Sequence, residues 1–417
     1  MDNFLFLILS FILTIFLLYF LKLFNRLCNN YINPLSVMIY IWLILLIINI
    51  LFATKINYSP IKPDGTFYII FGLFIITVTS YFLIAFLYNR KIKTGFKIKI
   101  YSLDKLENNE FKNNLASIAL FAYLYGILAY IIYFYRLNSL INIKNITNNL
   151  WLWKYYELSG ILTRSILLQL GMHSAIIIIL LTLNYQFNKT RVSIIYLITY
   201  LLFSLICPRR DPIVDVFGAF IGIQSLYSKK RAILKIAIIY ILIILMFIYI
   251  DYKINTKSEL NLENLFNYTS GNFSAFQQIL DQGVVFESRF KYQNTFYFIF
   301  SLLKFIDKDL TPPNVIKPQP IYGEYNIPNT YTAFGDPVYE GGIFGLLIYS
   351  IFVGFIMGFI CFYKKYYNTP SSFILYGTLF SVSIRSFINN TFGWTQIYFA
   401  ALVGILLDLL ILKRKLK

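Results

Sequence analysis

The sequence predicts an all-α integral membrane protein: a polytopic bundle of about eleven transmembrane helices with one large extracytoplasmic loop. The composition is 58% hydrophobic and 13% charged, where soluble domains carry about 25% charged residues. Mean hydropathy is +0.65. Apolar runs of about 18 residues or more, the length that spans a bilayer as a helix, recur along the chain. One polar stretch, from Asp251 to Tyr339, interrupts them.

In chain order the predicted spans lie near 4–24, 35–53, 67–88, 114–136, 161–184, 192–207, 212–228, 232–250, 339–362, 372–388 and 395–412. The first is not expected to be a cleavable signal. It lacks a basic leader, its apolar run from Phe4 to Leu21 is too long, and no small-residue cleavage site follows. The chain thus divides into an N-terminal membrane bundle (1–250), a large outer loop (251–338) and a C-terminal membrane bundle (339–417) with a basic tail.

Orientation follows from the basic residues. The loop after the third span holds Arg90, Lys91, Lys93, Lys97, Lys99, Lys105 and Lys112, a density characteristic of cytoplasmic loops. Alternation then places Lys189/Arg191, Lys229-Lys230-Arg231, Lys364-Lys365 and the tail from Lys413 inside as well. The long loop falls outside, with the segment 137–160 and the hairpin Pro208-Arg209-Arg210-Asp211. Trp151, Trp153, Tyr155 and Tyr156 suit an outer interfacial belt. The net charge of +18 is therefore a matter of topology and anionic lipid, and no nucleic-acid partner is expected. Cys28, Cys207 and Cys361 are too scattered for a disulfide framework or a metal cluster.

Against this topology a set of arginines is out of place. Arg136, Arg164, Arg209, Arg210, Arg289 and Arg385 all fall at or near the outer face, Arg385 inside a span. A charge near mid-bilayer costs about 2.5–3.5 kcal/mol on insertion scales, so such a residue faces a cavity or a partner. Guanidinium clasps phosphate through two parallel hydrogen bonds. Several arginines converging on one cavity would hold a polyanion; snorkelling to headgroups, or pairing of Arg210 with Asp211 or Asp215, is the plainer reading of each alone.

The outer face also offers Glu287, Asp307, Asp309, Glu324, Asp336 and Glu340. Glu340 stands where the loop returns to the membrane, followed by Gly341, Gly342 and Gly345. The glycines let the helix start close to its neighbours or let a substrate approach the backbone. A carboxylate there suits general-base work; as an ordinary acid in a first helical turn it would simply complement the macrodipole. Asp307-Lys-Asp309 has a spacing that holds a metal in some sugar transferases, but it precedes Thr-Pro-Pro and reads as a turn. His173 is mid-span and reads as a packing residue. No phosphate-binding loop, dinucleotide fingerprint or zinc motif is present, and neither a metal nor another cofactor is expected.

Asn329-Thr-Tyr-Thr332 followed by Tyr339-Glu-Gly-Gly-Ile-Phe-Gly345, the Asn33-Pro34-Leu35 start of the second span and the Arg209-Arg210 hairpin resemble bacterial oligosaccharide repeat-unit polymerases of the Wzy type. That family has ten to twelve spans with a large periplasmic loop late in the chain. Three departures stand out: Glu340 replaces the family's usual aspartate, Gly341 replaces the aromatic after it, and eleven spans with an outside N-terminus differ from the even number often drawn for that family. The resemblance implies glycan transfer between undecaprenyl-pyrophosphate-linked oligosaccharides at the outer face of the bacterial cytoplasmic membrane. It implies Glu340, Arg210 and Arg289 as catalytic residues, and Arg209, Arg164, Arg385, Asn329, Thr332 and Tyr339 as substrate-binding ones. A chain-length regulator and a flippase of the same pathway are the implied protein partners. An O-antigen ligase shares the architecture and the donor. A transporter or flippase for a lipid-linked sugar would instead show internal repeats and mid-membrane charges, and no repeat is evident.

Overall fold

The structure, a computed structural model, describes residues 3–56, 58–94, 270–282, 292–303, 332–367 and 369–387, with scattered residues in 124–135, 218–225, 238 and 392–409. The described elements are α1 (Asn3–Cys28), α2 (Pro34–Phe52), a 3-10 turn (Thr54–Ile56), α3 (Pro63–Thr94), α4 (Gly271–Gln282), α5 (Tyr297–Leu303), α6 (Gly335–Tyr366) and α7 (Pro370–Arg385). Among the described residues there is no β-strand. Four helices among the described residues are long and apolar enough to cross a membrane: α1, α2, α3 as far as Arg90, and α6. The chain is an all-α membrane protein. The predicted spans near 4–24, 35–53, 67–88, 339–362 and 372–388 fall on α1, α2, α3, α6 and α7. The other six, and with them the total of eleven, lie outside the continuously described residues.

The chain divides into two compact units. One comprises Met1–Lys99, Asn261–Tyr366 and Val382–Phe399; the other comprises Ile100–Leu260, Tyr367–Ser381 and Ala400–Lys417. In the second unit, Asp408 accepts hydrogen bonds from the backbone N–H (3.3 Å) and the hydroxyl of Ser371, at the start of α7. An anion there satisfies donors that have no partner within the helix.

In the first unit the α1–α2 connection is specified by asparagines. Asn29 takes φ 52° just past α1, the Asn30 N–H bonds the Asn25 carbonyl, and the Asn29 N–H bonds that of Arg26. This is a Schellman stop built on asparagine. Asn33 then caps α2 reciprocally with Ser36, with Pro34 inside the first turn. The Asn33 amide also donates to Asn25 Oδ1 at 2.6 Å and to the Asn30 carbonyl at 2.8 Å. Turn and cap are therefore one buried network.

Helix α3 packs against both α1 and α6. Its contact with α6 depends on Gly354 and Gly358. A Cβ on Gly354 would lie 2.7 Å from Thr79 Cβ, and one on Gly358 would lie 2.8 Å from the Ser80 carbonyl oxygen. Small residues four apart let helices approach backbone to backbone, and the Ser80 hydroxyl reaches the Gly354 carbonyl at 3.0 Å. Gly358→Ala is expected to cost about 1–3 kcal/mol, because the facing atom is backbone and cannot rotate away. Thermal unfolding in detergent reads this; Ile348→Ala, on the exposed face of α6, should leave the midpoint unchanged.

The predicted outer loop is partly helical, and α4 docks on α2 and α3. Asn49, fully buried in α2, donates to the Ser270 carbonyl (2.7 Å) and Ser274 Oγ (3.0 Å), and accepts from the Ile61 N–H at 2.9 Å. Gln277 of α4 accepts from the Lys62 N–H at 3.0 Å and donates to Asp64 and Asp281. The ion pair Lys62–Asp281 (2.8 Å) is half exposed and is worth under about 1 kcal/mol. Polarity in 270–282 therefore serves docking as well as solvation.

Candidate functional site at the start of α6

Helix α6 is not one straight rod. Gly342 has φ 58° and ψ −142°, a conformation essentially confined to glycine. A Cβ on Gly345 would lie 2.1 Å from the Pro337 carbonyl oxygen, although residues eight apart in a straight helix are ~12 Å apart along the axis. The short limb 335–341 therefore folds sharply against the long limb 343–366. The Tyr292 ring closes the bend: Cβ atoms on Gly341 and Gly345 would meet it at 2.6 and 3.3 Å. Tyr292 itself has φ 67°, which is rare for an aromatic residue.

Glu340 holds that arrangement in place. Its side chain is buried on the short limb, and it accepts from the Asn294 N–H at 2.8 Å through Oε1. Through Oε2 it accepts from the Thr295 N–H at 2.9 Å and the Thr295 hydroxyl at 2.5 Å. Charge-assisted bonds of this kind contribute about 1.5–3 kcal/mol each. A carboxylate offers roughly four lone-pair positions. Three are occupied among the described residues, so one position on Oε1 is left there for a further donor.

A second junction joins the segment before α6 to the end of α7. The Ala333 N–H bonds the Ser386 carbonyl at 2.8 Å, bringing the chain beside Thr332 up to the chain beside Arg385. Trp42 of α2 ties the same point down. Its indole N–H donates to Ser386 Oγ at 2.8 Å, and its ring lies 4.7 Å from that of Phe334 and 5.7 Å from that of Phe273. Gly72 makes room, since a Cβ there would meet the Phe334 ring at 2.8 Å. Arg385 is 1% exposed, the second largest of the fully buried side chains among the described residues after Trp42. Three buried oxygens, Gln293 Oε1, Thr332 Oγ1 and Ser350 Oγ, have no hydrogen-bond partner among the described residues. Native proteins leave few such atoms dry.

Of the residues proposed from sequence, the structure describes Glu340, Tyr339, Thr332 and Arg385. Glu340 and Tyr339 share the short limb, and Thr332 and Arg385 flank one backbone hydrogen bond. Arg164, Arg209, Arg210, Arg289 and Asn329 lie outside the described residues. Sequence reasoning did not single out Tyr292, Gln293, Thr295, Trp42 or Ser386 for this site. An indole in the middle of an apolar span was the one local signal among them. No family model, no curated protein and no solved structure matches this chain.

Proposed function

We propose that the chain polymerises lipid-linked oligosaccharide repeat units, moving the growing glycan from undecaprenyl pyrophosphate to a new undecaprenyl-pyrophosphate-linked unit. The acceptor hydroxyl attacks the anomeric carbon of the donor glycan. The bond from that carbon to the phosphate oxygen breaks, undecaprenyl pyrophosphate leaves with the electron pair, and the hydroxyl proton passes to a carboxylate.

The observation that supports this reading is the polar interior at the start of α6. Arg385 is buried at the end of α7, and the Gln293, Thr332 and Ser350 oxygens are buried without a hydrogen-bond partner among the described residues; polar groups inside a membrane bundle generally face a partner or a cavity. A hydroxyl-rich, anionic substrate has a use for all of them. The open position on Glu340 Oε1 is the base, and preorganised guanidinium stabilises the departing pyrophosphate. Arg210, Arg289, Arg209 and Arg164 are proposed to complete the cradle. Gly342 keeps the short limb off the axis of the spanning helix, which supports a reaction at the membrane surface, where both lipid carriers can present their headgroups.

The test is a glycan length profile from cells that carry the surrounding pathway, with and without this chain. Loss of the ladder to single units supports polymerisation; a ladder that persists on the carrier but never reaches the surface lipid means a ligase. Arg385→Lys should insert normally and lose most of the ladder, because an ammonium cannot reproduce the guanidinium fork. A full ladder from the lysine variant would remove Arg385 from the cradle.

A further inference from the structure

Helix α1 ends in Cys28, and Cys361 stands near the end of α6. Both are free thiols, and they share a hydrogen bond. Two further observations bring the same chain ends together. The Lys365 ammonium, one turn beyond Cys361, donates to the carbonyl of Leu27, the residue before Cys28. Both cysteines also lie on packing faces. Cys28 continues the stripe of buried Leu17, Leu21 and Phe24 on α1, and Cys361 continues that of Gly354 and Met357 on α6. Helix α1 is the least buried of the four membrane-length helices among the described residues, so a link from its end to α6 bears on how firmly it is held.

The two thiols differ in access. Cys28 is partly exposed, whereas Cys361 is buried. A small oxidant meets the first, and the second waits beside it, which is the arrangement of an attacked thiol and its resolving partner. Cysteine packs well as a small apolar residue, but packing alone gives no reason for two thiols from opposite parts of the chain to meet. The orientation predicted from the basic loops puts this end in the cytoplasm, where disulfides are transient and redox-sensing rather than structural.

We propose that Cys28 and Cys361 form an oxidative modification site, a thiol pair that closes to a disulfide under peroxide and staples α1 to α6. Cys28 sulfur attacks one peroxide oxygen, the O–O bond breaks, and Cys28 becomes a sulfenic acid with release of one water. Cys361 sulfur then attacks Cys28 sulfur. The S–S bond forms, the S–O bond breaks, and the departing hydroxide takes the Cys361 proton as a second water. Two thiols and one peroxide thus give one disulfide and two waters. Bond formation draws the sulfurs to about 2.05 Å, which thiols already in contact approach mainly by side-chain rotation. Cytoplasmic thiols reopen the bond by exchange.

The test treats the purified full chain in detergent with hydrogen peroxide, with dimedone present to trap sulfenic acid, and maps the cysteine peptides by mass spectrometry. The wild type should give a Cys28–Cys361 linked peptide that dithiothreitol dissolves, and the linked protein should unfold at a higher temperature than the reduced one. Cys361→Ser should leave Cys28 as the dimedone adduct, and Cys28→Ser should leave Cys361 unoxidised. Cys207→Ser should link as the wild type does. A wild type whose Cys28 is trapped by dimedone beside a free Cys361, a link to Cys207 instead, or no oxidation at a dose that oxidises free cysteine would each overturn the pair. An unchanged unfolding temperature in the linked protein would overturn the staple.

Discussion

Alanine at Gly345 is expected to open the bend at the start of α6 and destabilise the protein more than alanine at Gly341. The added Cβ would sit 2.1 Å from the Pro337 carbonyl oxygen, whereas at Gly341 it would meet only the Tyr292 ring, at 2.6 Å. A ring can tilt; a carbonyl in a helical limb moves only with its backbone. Overpacking of this kind costs about 1–3 kcal/mol and occasionally more. Gly345→Ala should therefore lower the thermal midpoint beyond Gly341→Ala and leave the 335–341 limb open to protease. Wild-type stability in Gly345→Ala would mean that the two limbs do not touch.

Glu340→Gln should do two things at once, and they can be separated. The Asn294 and Thr295 N–H groups bond different oxygens of Glu340; in glutamine one of those positions is an NH2, so one buried donor loses its partner at a cost of about 1–3 kcal/mol. Amide exchange at Asn294 and Thr295 should then quicken. The proposed glycan polymerisation should stop as well. The control is Thr295→Val, which removes the 2.5 Å hydroxyl contact while leaving the carboxylate and both backbone bonds. Turnover retained in Thr295→Val and lost in Glu340→Gln assigns Glu340 to the chemistry. Equal losses in both variants would reduce Glu340 to an anchor for the 292–303 segment, and a working Gln variant would remove it as the base.

The parts of this fold that are written locally could be read from the sequence. Hydropathy alone places α1, α2, α3, α6 and α7. Asn33-Pro34 marks the start of α2, and Glu340 with its glycines marks the return to the membrane. The unread parts depend on long-range contact. Nothing near Tyr292 announces that its ring will close a bend fifty residues on. Gly341 and Gly345 signalled close approach without naming what approaches. Two signals were present and passed over: the Gly354-x-x-x-Gly358 spacing, and Asn49 as an amide in an apolar span. The polarity of 270–282 looked like solvent exposure because docking bonds such as those of Gln277 use the same residue types as a solvated loop.

The Trp42–Ser386 hydrogen bond spans 344 residues of chain, and the Asn49–Ser270 bond spans 221. During synthesis at about 5–20 residues per second, α2 emerges on the order of 20–70 s before Ser386 exists. For much of that interval the Asn49 NH2 and the Trp42 indole N–H sit in a helix already due for insertion, with their native acceptors untranslated. The N-terminal hairpin must wait, held by its own asparagine network, and the site can close only when α7 arrives. Assembly of this protein is therefore gated by the ribosome's progress to its last helices.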